Sequence, residues 1–171
     1  TNNIYDVRLE LHSISERDEM DYLNYFPDRR LYQVRAQVVR SLSPWSGSQR
    51  TEKSIQTAYC EIIRNAQHYI YIENQYFMSH TDRSPKIENL IAQAILDRIS
   101  TAIQHKQVFR VYIILPMHHA GDIYDPSTHQ VMKWQRRTIN SMYETLRIRH
   151  PREDATQYLM FFALANHGYI D

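Results

Sequence analysis

The chain has 171 residues, which is enough for one ordinary domain and too few for two well-formed ones. Its 43% hydrophobic and 23% charged residues are typical of a folded globular protein and exclude a disordered chain. A formal net charge of +1 does not favour a protein that coats nucleic acid, and a single cysteine, Cys60, excludes an intrachain disulfide. No glycine-rich phosphate loop occurs, so the common nucleotide-binding motifs are absent.

The first part of the chain differs from the rest. Residues 1–33 are polar and mixed, and they predict a short strand at Ile4–Leu11 followed by an irregular connection. A structured domain is predicted over residues 34–171. Its first element is a strand, because apolar and polar residues alternate over Val34–Val38. The next segment, Ser41–Ser48, is rich in turn-forming residues and predicts a loop.

A helix and a strand follow this loop. Apolar residues recur with helical spacing at Ile55, Ala58, Tyr59, Ile62, Ile63 and Ala66. Either Ser48 or Thr51 could cap the start of this helix. The β-branched and aromatic residues of His68–Ile72 then predict a strand that runs into Glu73–Phe77.

Four further elements are predicted in the second half. Ser84-Pro85 is a typical helix start, and the apolar stripe of that second helix runs from Ile87 to Ile103. An apolar strand is predicted at Val108–Leu115 and ends before a proline. A third helix carries its apolar side over Val131–Leu146, and Tyr158–Ala165 predicts a final buried strand.

The predicted fold class is α/β. Strands and helices alternate along the chain, which favours right-handed crossovers and a mainly parallel sheet covered by helices. The strands are apolar runs rather than clean alternations, a pattern that suits a sheet covered on both faces.

Ligands in such folds bind beyond the carboxyl ends of the strands. Three loops qualify: Glu73–His80, Pro116–Asp125 and whatever follows Leu164. The first places an acid and two carboxamides, Glu73-Asn74-Gln75, directly after an apolar strand. A strand end is rigid, so these side chains could be held accurately against a polar ligand. The alternative is that they cap backbone groups of the strand and loop.

The histidines of the second loop do not favour a metal site. His118 and His119 are adjacent, and neighbouring histidines on a loop seldom both bind one ion. Asp122 and His129 could complete a ligand set, but the spacing matches no zinc signature. Hydrogen-bonding or solvated histidines are the favoured interpretation.

Two basic clusters and one tryptophan leave alternatives open. His105-Lys106 and Arg147–Arg152 lie near predicted helix ends, where they complement the helix dipole. Contact with anionic lipid headgroups is the second interpretation. Trp45, in its serine- and proline-containing loop, could pack locally or reach into a membrane interface.

Three segments together resemble eukaryotic-type phospholipase D. The most specific is Tyr69–Phe77, which reads Tyr-Ile-Tyr-Ile-Glu-Asn-Gln-Tyr-Phe. The others are Val38–Leu42 with Glu52–Tyr59 and Ile63–Ala66, and Val111–Met117 with Gly121, Trp134-Gln135, Thr138 and Met142-Tyr143. They occur in the family's order and cover about residues 34–165.

The resemblance implies a phosphodiesterase reaction on phospholipids such as phosphatidylcholine. The family carries two copies of H-x-K-x4-D in one site. One histidine attacks phosphorus to form a phosphohistidine, and the other protonates the leaving alcohol. The lysines and nearby amides hold the phosphate oxygens. The products are phosphatidic acid and a free headgroup, commonly choline, and neither a metal nor a cofactor is expected.

Neither copy occurs in this sequence, because none of the nine histidines is followed two positions later by lysine. In the family, the matched region lies between the two motifs. The chain is therefore expected to be a partial catalytic domain, a phospholipase D-like half-domain that contains no catalytic residue and is inactive alone. By the same resemblance, Glu73, Asn74 and Gln75 line the headgroup or phosphate side of the site.

The implied partners are a phospholipid substrate, a peripheral membrane surface and the remaining parts of the same enzyme, without nucleic acid. Two other hypotheses remain open. One is a lipid- or protein-binding module on a degenerate, non-catalytic scaffold, and the other is a nuclease or phosphatidyltransferase of the same superfamily. The cellular setting is open between a eukaryotic membrane surface and an exported bacterial effector.

Overall fold

A computed structural model describes most of the second part of the chain. The described residues are 36–47, 50–81, 87–116 and 124–164. All helices and strands among them lie in one compact unit, Val39–Asp171. The strand expected at Ile4–Leu11 lies outside the described residues, and the division into residues 1–33 and 34–171 stays a prediction.

Five strands and three α-helices are found in the described part of the chain. In chain order they are β1 (Ser41–Leu42), β2 (Glu52–Lys53), α1 (Ser54–Asn65), β3 (Tyr69–Glu73), α2 (Ile91–Gln104), β4 (Arg110–Pro116), α3 (Pro126–Arg149) and β5 (Leu159–Leu164). Two 3-10 turns lie at Pro44–Ser46 and Ala155–Gln157. Among the described helices, none is both long and apolar enough to cross a bilayer.

The main sheet is parallel and has the strand order β3-β4-β5. Tyr71 of β3 lies opposite Tyr112 of β4, which in turn lies opposite Met160 of β5. Each parallel connection carries one helix, α2 or α3, as a crossover requires. The α/β class and the parallel sheet are therefore as predicted, and a separate antiparallel pair, β1 with β2, precedes them.

One face of the sheet carries the core. Val111, Ile113 and Leu115 of β4 are buried beneath the apolar stripes of the helices, and α2 contributes the completely buried Ile95 and Ile99. On the opposite face Tyr69, Tyr71 and Phe162 are exposed. The expected cover on both faces is thus not met by the residues that the structure describes.

The predicted position of the first strand and the predicted cap of the first helix were wrong. Ala36–Val38 forms no strand, and the pairing occurs instead at β1, inside the predicted loop. The reason is a set of contacts from Arg40, whose backbone N–H donates to the Ser54 hydroxyl over 2.9 Å and whose side chain pairs with Glu52. Lys53, not Thr51, precedes α1 and makes no side-chain cap; Ser48 lies outside the described residues.

The second helix begins later than predicted. Ser84-Pro85 is outside the described residues, residues 87–90 are not helical, and α2 starts at Ile91. Asn89 explains the difference. Its side chain donates to the Met78 carbonyl over 2.8 Å, and its own carbonyl accepts from the His80 N–H over 2.9 Å. Asn89 Oδ1 also accepts from the Ile91 N–H over 3.4 Å, so this residue joins the start of α2 to the segment after β3.

A buried arginine joins the far ends of α1 and α2 to the sheet. Arg98 Nε donates to the Ala66 carbonyl over 2.7 Å, and one Nη donates to Gln107 Oε1 over 3.0 Å. The guanidinium lies 4.0 Å from the centre of the Phe109 ring, a cation–π distance. Burial lowers the pKa of Arg98, but an arginine remains charged at any physiological pH.

Arg98→Ala should therefore destabilise the fold. The substitution leaves the Ala66 carbonyl and the Gln107 side chain without their donor and opens space beside Phe109. We expect a loss of about 2–4 kcal/mol in the free energy of unfolding, measured by denaturant titration. The control is Arg64→Ala, on the exposed side of α1. Equal stability of the two variants would contradict the assigned role.

The start of α3 combines two sequence signals that periodicity alone missed. Asp125 is the N-cap residue and Pro126 follows it as the first helical residue. The Asp125 carboxylate accepts from the Thr128 N–H over 3.3 Å and from the Ser127 hydroxyl. These hydrogen bonds lower the pKa of Asp125, and the bond from the Ser127 hydroxyl has the largest effect.

This lowered pKa gives the cap a defined pH dependence. A carboxyl whose pKa is lower in the folded than in the unfolded chain stabilises the fold above the unfolded pKa, about 4. That stabilisation disappears as the pH falls through the folded pKa. We expect the difference in Tm between wild type and Asp125→Asn to be present at pH 7 and to vanish at the acid end of the titration. Asparagine keeps the cap but cannot ionise, so a difference that is constant with pH would refute the assignment.

Candidate functional site

The predicted site residues lie at the carboxyl end of β3. Glu73 is the last residue of that strand, Asn74 and Gln75 follow it, and all three are exposed. The Asn74 N–H donates to the Ile114 carbonyl of β4 over 3.2 Å, so strand-like pairing continues one residue past the strand. The backbone under these side chains is thus fixed by the sheet.

Glu73 is partnered within its own strand. The Tyr71 hydroxyl donates to Glu73 Oε2 over 3.0 Å, which is possible because side chains two apart share a face of a strand. The Glu73 carboxylate raises the pKa of Tyr71, and this hydrogen bond is the largest cause. The phenol therefore stays protonated and orients the carboxylate at neutral pH.

Gln75 has a side-chain partner next to it in the sequence. Gln75 Nε2 donates to the Tyr76 hydroxyl over 3.3 Å. Among the described residues, neither this bond nor that of Glu73 reaches a backbone group. All three residues are exposed, so a ligand can contact them.

The segment after the site is held by α3. The Phe77 N–H donates to Gln135 Oε1 over 3.0 Å, and the Ser79 N–H donates to Thr138 Oγ1 over 3.3 Å. Thr138 also donates to the Ser79 carbonyl over 3.3 Å. All four residues are buried. We call this arrangement the α3 clamp: Gln135 and Thr138 bound to the backbone of Phe77 and Ser79.

The same segment supports the start of α2. The Ser79 hydroxyl accepts from the Ala92 N–H over 2.9 Å and donates to the Asn89 carbonyl over 2.9 Å. It thereby satisfies one of the free amides of the first helical turn, a task usually performed by a capping residue next to the helix. One serine after the site thus connects β3, α2 and α3.

The other candidates are less informative. His118, His119 and Asp122 lie outside the described residues, whereas His129 is exposed on α3. Among the residues with described positions, no cluster of three histidine, cysteine or acidic side chains could hold a metal ion. Cys60 is buried on α1, as predicted, and this burial raises the pKa of its thiol, which does not favour a reactive role.

Among the described residues, the predicted site is an exposed strand end outside the two cavities. A cavity of about 340 Å3 lies near the start of α1, against Glu52, Lys53 and Glu88. A second of about 430 Å3 lies between the ends of α2 and α3, against Asp97 and Arg149. Neither is lined by Glu73, Asn74 or Gln75.

Comparison with known proteins gives the family. The family model described as "Phospholipase D" matches residues 19–171, nearly the whole chain. The chain belongs to the phospholipase D family. Its relatives are of the eukaryotic type, as the Tyr69–Phe77 motif implied.

The named relatives are much longer than this chain. Phospholipase D A of Dictyostelium discoideum is 40% identical over 139 residues, which are 79% of this chain and 11% of that protein. Phospholipase D of Phytophthora infestans is 41% identical over 145 residues, 78% of this chain and 8% of its own length. Phospholipase D zeta 2 of Arabidopsis thaliana is 37% identical over 147 residues, with 80% and 14% covered. The chain therefore spans about a tenth of the length of the relatives it matches.

The structure joins two of the sequence segments that resemble the family. The phospholipase D motif Tyr69–Phe77 and the Gln135 and Thr138 of α3 form one unit through the α3 clamp. Sequence reasoning placed both α3 residues in the helix stripe but did not see their role. Their polarity within an apolar stripe could have indicated this role, because buried polar side chains need hydrogen-bond partners.

Gln135→Leu should loosen the segment that follows the site. The substitution leaves the buried Phe77 N–H without an acceptor, at a cost of about 1–3 kcal/mol in the free energy of unfolding. We also expect faster amide hydrogen exchange at Phe77 and Ser79. Gln130→Leu, at an exposed position of the same helix, is the control. Unchanged exchange at Phe77 would show that the clamp does not hold this segment.

Proposed function

We propose that the chain is part of a phospholipase D that hydrolyses phosphatidylcholine-type phospholipids to phosphatidic acid and a free headgroup. The observation that carries the proposal is the strand end Glu73-Asn74-Gln75, exposed on a backbone fixed by the sheet, within the motif that the family shares. Identity of about 40% to proteins named phospholipase D supports it.

The three side chains suit a zwitterionic headgroup. The Glu73 carboxylate, oriented by Tyr71, complements a quaternary ammonium group. The carboxamide N–H groups of Asn74 and Gln75 can donate to phosphate oxygens, whose charge strengthens such hydrogen bonds. We assign these residues to substrate binding and not to proton transfer or nucleophilic attack.

The chemical step then requires groups outside these residues. By the family's mechanism, a histidine attacks phosphorus, the bond to the headgroup oxygen breaks, and a second histidine protonates that oxygen. Water next cleaves the phosphohistidine and releases phosphatidic acid. None of the nine histidines here begins an H-x-K motif. The relatives' much greater length supports our proposal that both motifs lie elsewhere in the protein.

The missing motifs also favour one second candidate, a binding module on a non-catalytic scaffold. That candidate predicts headgroup or vesicle binding without turnover. It is distinguished from the first by whether the complete protein releases choline from phosphatidylcholine at all.

Substitution at the strand end tests the assignment in the complete protein. We expect Asn74→Ala and Glu73→Gln each to lower kcat/KM for choline release by about tenfold or more, the loss of one polar contact of about 1.4 kcal/mol in the transition state. The matched controls are Asn140→Ala on α3 and Glu61→Gln on α1, both at exposed positions.

The outcomes separate the candidates. Loss of activity at the strand end with active controls supports substrate binding by Asn74 and Glu73. Full activity of both variants would refute it. A complete protein that leaves phosphatidylcholine intact, while Glu73→Gln weakens its binding to vesicles, would favour the binding module.

A further inference from the structure

Two aromatic side chains stand out by their exposure. Trp45 is 88% exposed and Tyr124 is 81% exposed, the highest values of any large hydrophobic side chain in the described ranges. Single exposed hydrophobic residues are common on protein surfaces and carry no argument by themselves. The position of these two in the fold is what distinguishes them.

Trp45 lies at the tip of the β1–β2 hairpin. The strands pair through Ser41 with Lys53 and Leu42 with Glu52, and Trp45 lies in the 3-10 turn Pro44–Ser46. The Ser46 N–H donates to the Ser43 carbonyl over 2.9 Å. Gly47 then ends the turn at φ +113°, a conformation that favours glycine. The indole is therefore presented on a defined turn.

The hairpin lies at the same edge of the sheet as the candidate site. Lys53 of β2 pairs with Glu88 over 3.1 Å, and Glu88 lies on the return from the end of β3 to the start of α2. At the other end of these helices, Arg98 of α2 contacts the Ala66 carbonyl just after α1. The two helices thus run in the same direction, and both begin at the edge where β3 ends.

Tyr124 lies beyond the same edge. The α3 clamp places Gln135 beside Phe77, past the carboxyl end of β3. Further along α3, the Tyr143 hydroxyl donates to the Leu159 carbonyl over 2.8 Å, at the opposite end of the sheet. The start of α3 therefore lies toward this edge, and residues 126–134 span about 14 Å at 1.5 Å per residue. Tyr124 directly precedes this end of the helix.

We propose that Trp45 and Tyr124 anchor the protein in the interface of a phospholipid bilayer. Tryptophan and tyrosine combine an apolar ring with a polar group, which suits the boundary between headgroups and acyl chains. The segments that carry them lie on the side of the sheet where β3 ends in Glu73, Asn74 and Gln75. The anchors would consequently turn the strand-end site toward the headgroups. The proposal rests on the proposed action on phospholipid and adds the surface through which the lipid is reached.

The experiment uses the complete protein and vesicles of phosphatidylcholine. We expect Trp45→Ala and Tyr124→Ala each to lower the vesicle partition coefficient, by about tenfold for Trp45, since an aromatic ring withdraws a large apolar area from water. Tyr69→Ala is the matched control, because Tyr69 is an exposed tyrosine at the opposite end of β3. Thermal unfolding verifies that the variants are folded.

A second substrate separates this proposal from the proposed function. Hydrolysis of a short-chain phosphatidylcholine below its micelle concentration needs no bilayer, so the anchor variants should retain it. Unchanged vesicle binding in both variants would overturn the anchor, even if this hydrolysis continues. If no phosphatidylcholine is hydrolysed but Trp45→Ala still weakens vesicle binding, the anchor stands and the proposed enzymatic function fails. A loss of binding equal to that of Tyr69→Ala would also overturn it.

Discussion

The structure depends on the need to pair backbone amides where the chain leaves the sheet. Beyond Asn74 no strand in the described part of the chain supplies acceptors, yet Phe77 and Ser79 are buried. An unpaired buried amide costs about 1–3 kcal/mol, so the fold needs polar side chains inside an otherwise apolar layer. Gln135 and Thr138 provide them, and this requirement fixes where α3 crosses the sheet.

At the opposite end of the same layer, a buried arginine pairs with a backbone carbonyl. Arg98 serves the carbonyl that α1 leaves unpaired and packs its cation on Phe109. Between these two polar contacts the core is apolar, with Ile95 and Ile99 completely buried. Packing alone would allow the helices to slide along the sheet. Directional bonds at both ends define one register, which a site built on a strand end requires.

The sequence predicted what depends on local pattern. The stripe of α1 and the strands β3 and β5 lie within about one residue of their predicted bounds. The predicted start of α2 was wrong, and Asn89, just before the observed start, bonds both to Met78 and to the first amide of the helix. The place of Glu73 at a strand end followed from the apolar run before it, whereas its role as a site residue stays a prediction. The partner of Phe77 could not be predicted, because Gln135 lies 58 residues away and no periodicity encodes that pairing.

The three-stranded sheet has a further consequence for the behaviour of these elements in solution. Among the described strands, β3 and β5 each have one strand neighbour, so no described strand pairs with the outer backbone groups of either. Tyr69, Tyr71 and Phe162 add exposed rings on the uncovered face. An open strand edge beside an aromatic surface is a template for strand addition. A segment that covered this face would therefore also protect it from self-association, and loss of that segment would appear as aggregation rather than as loss of the fold.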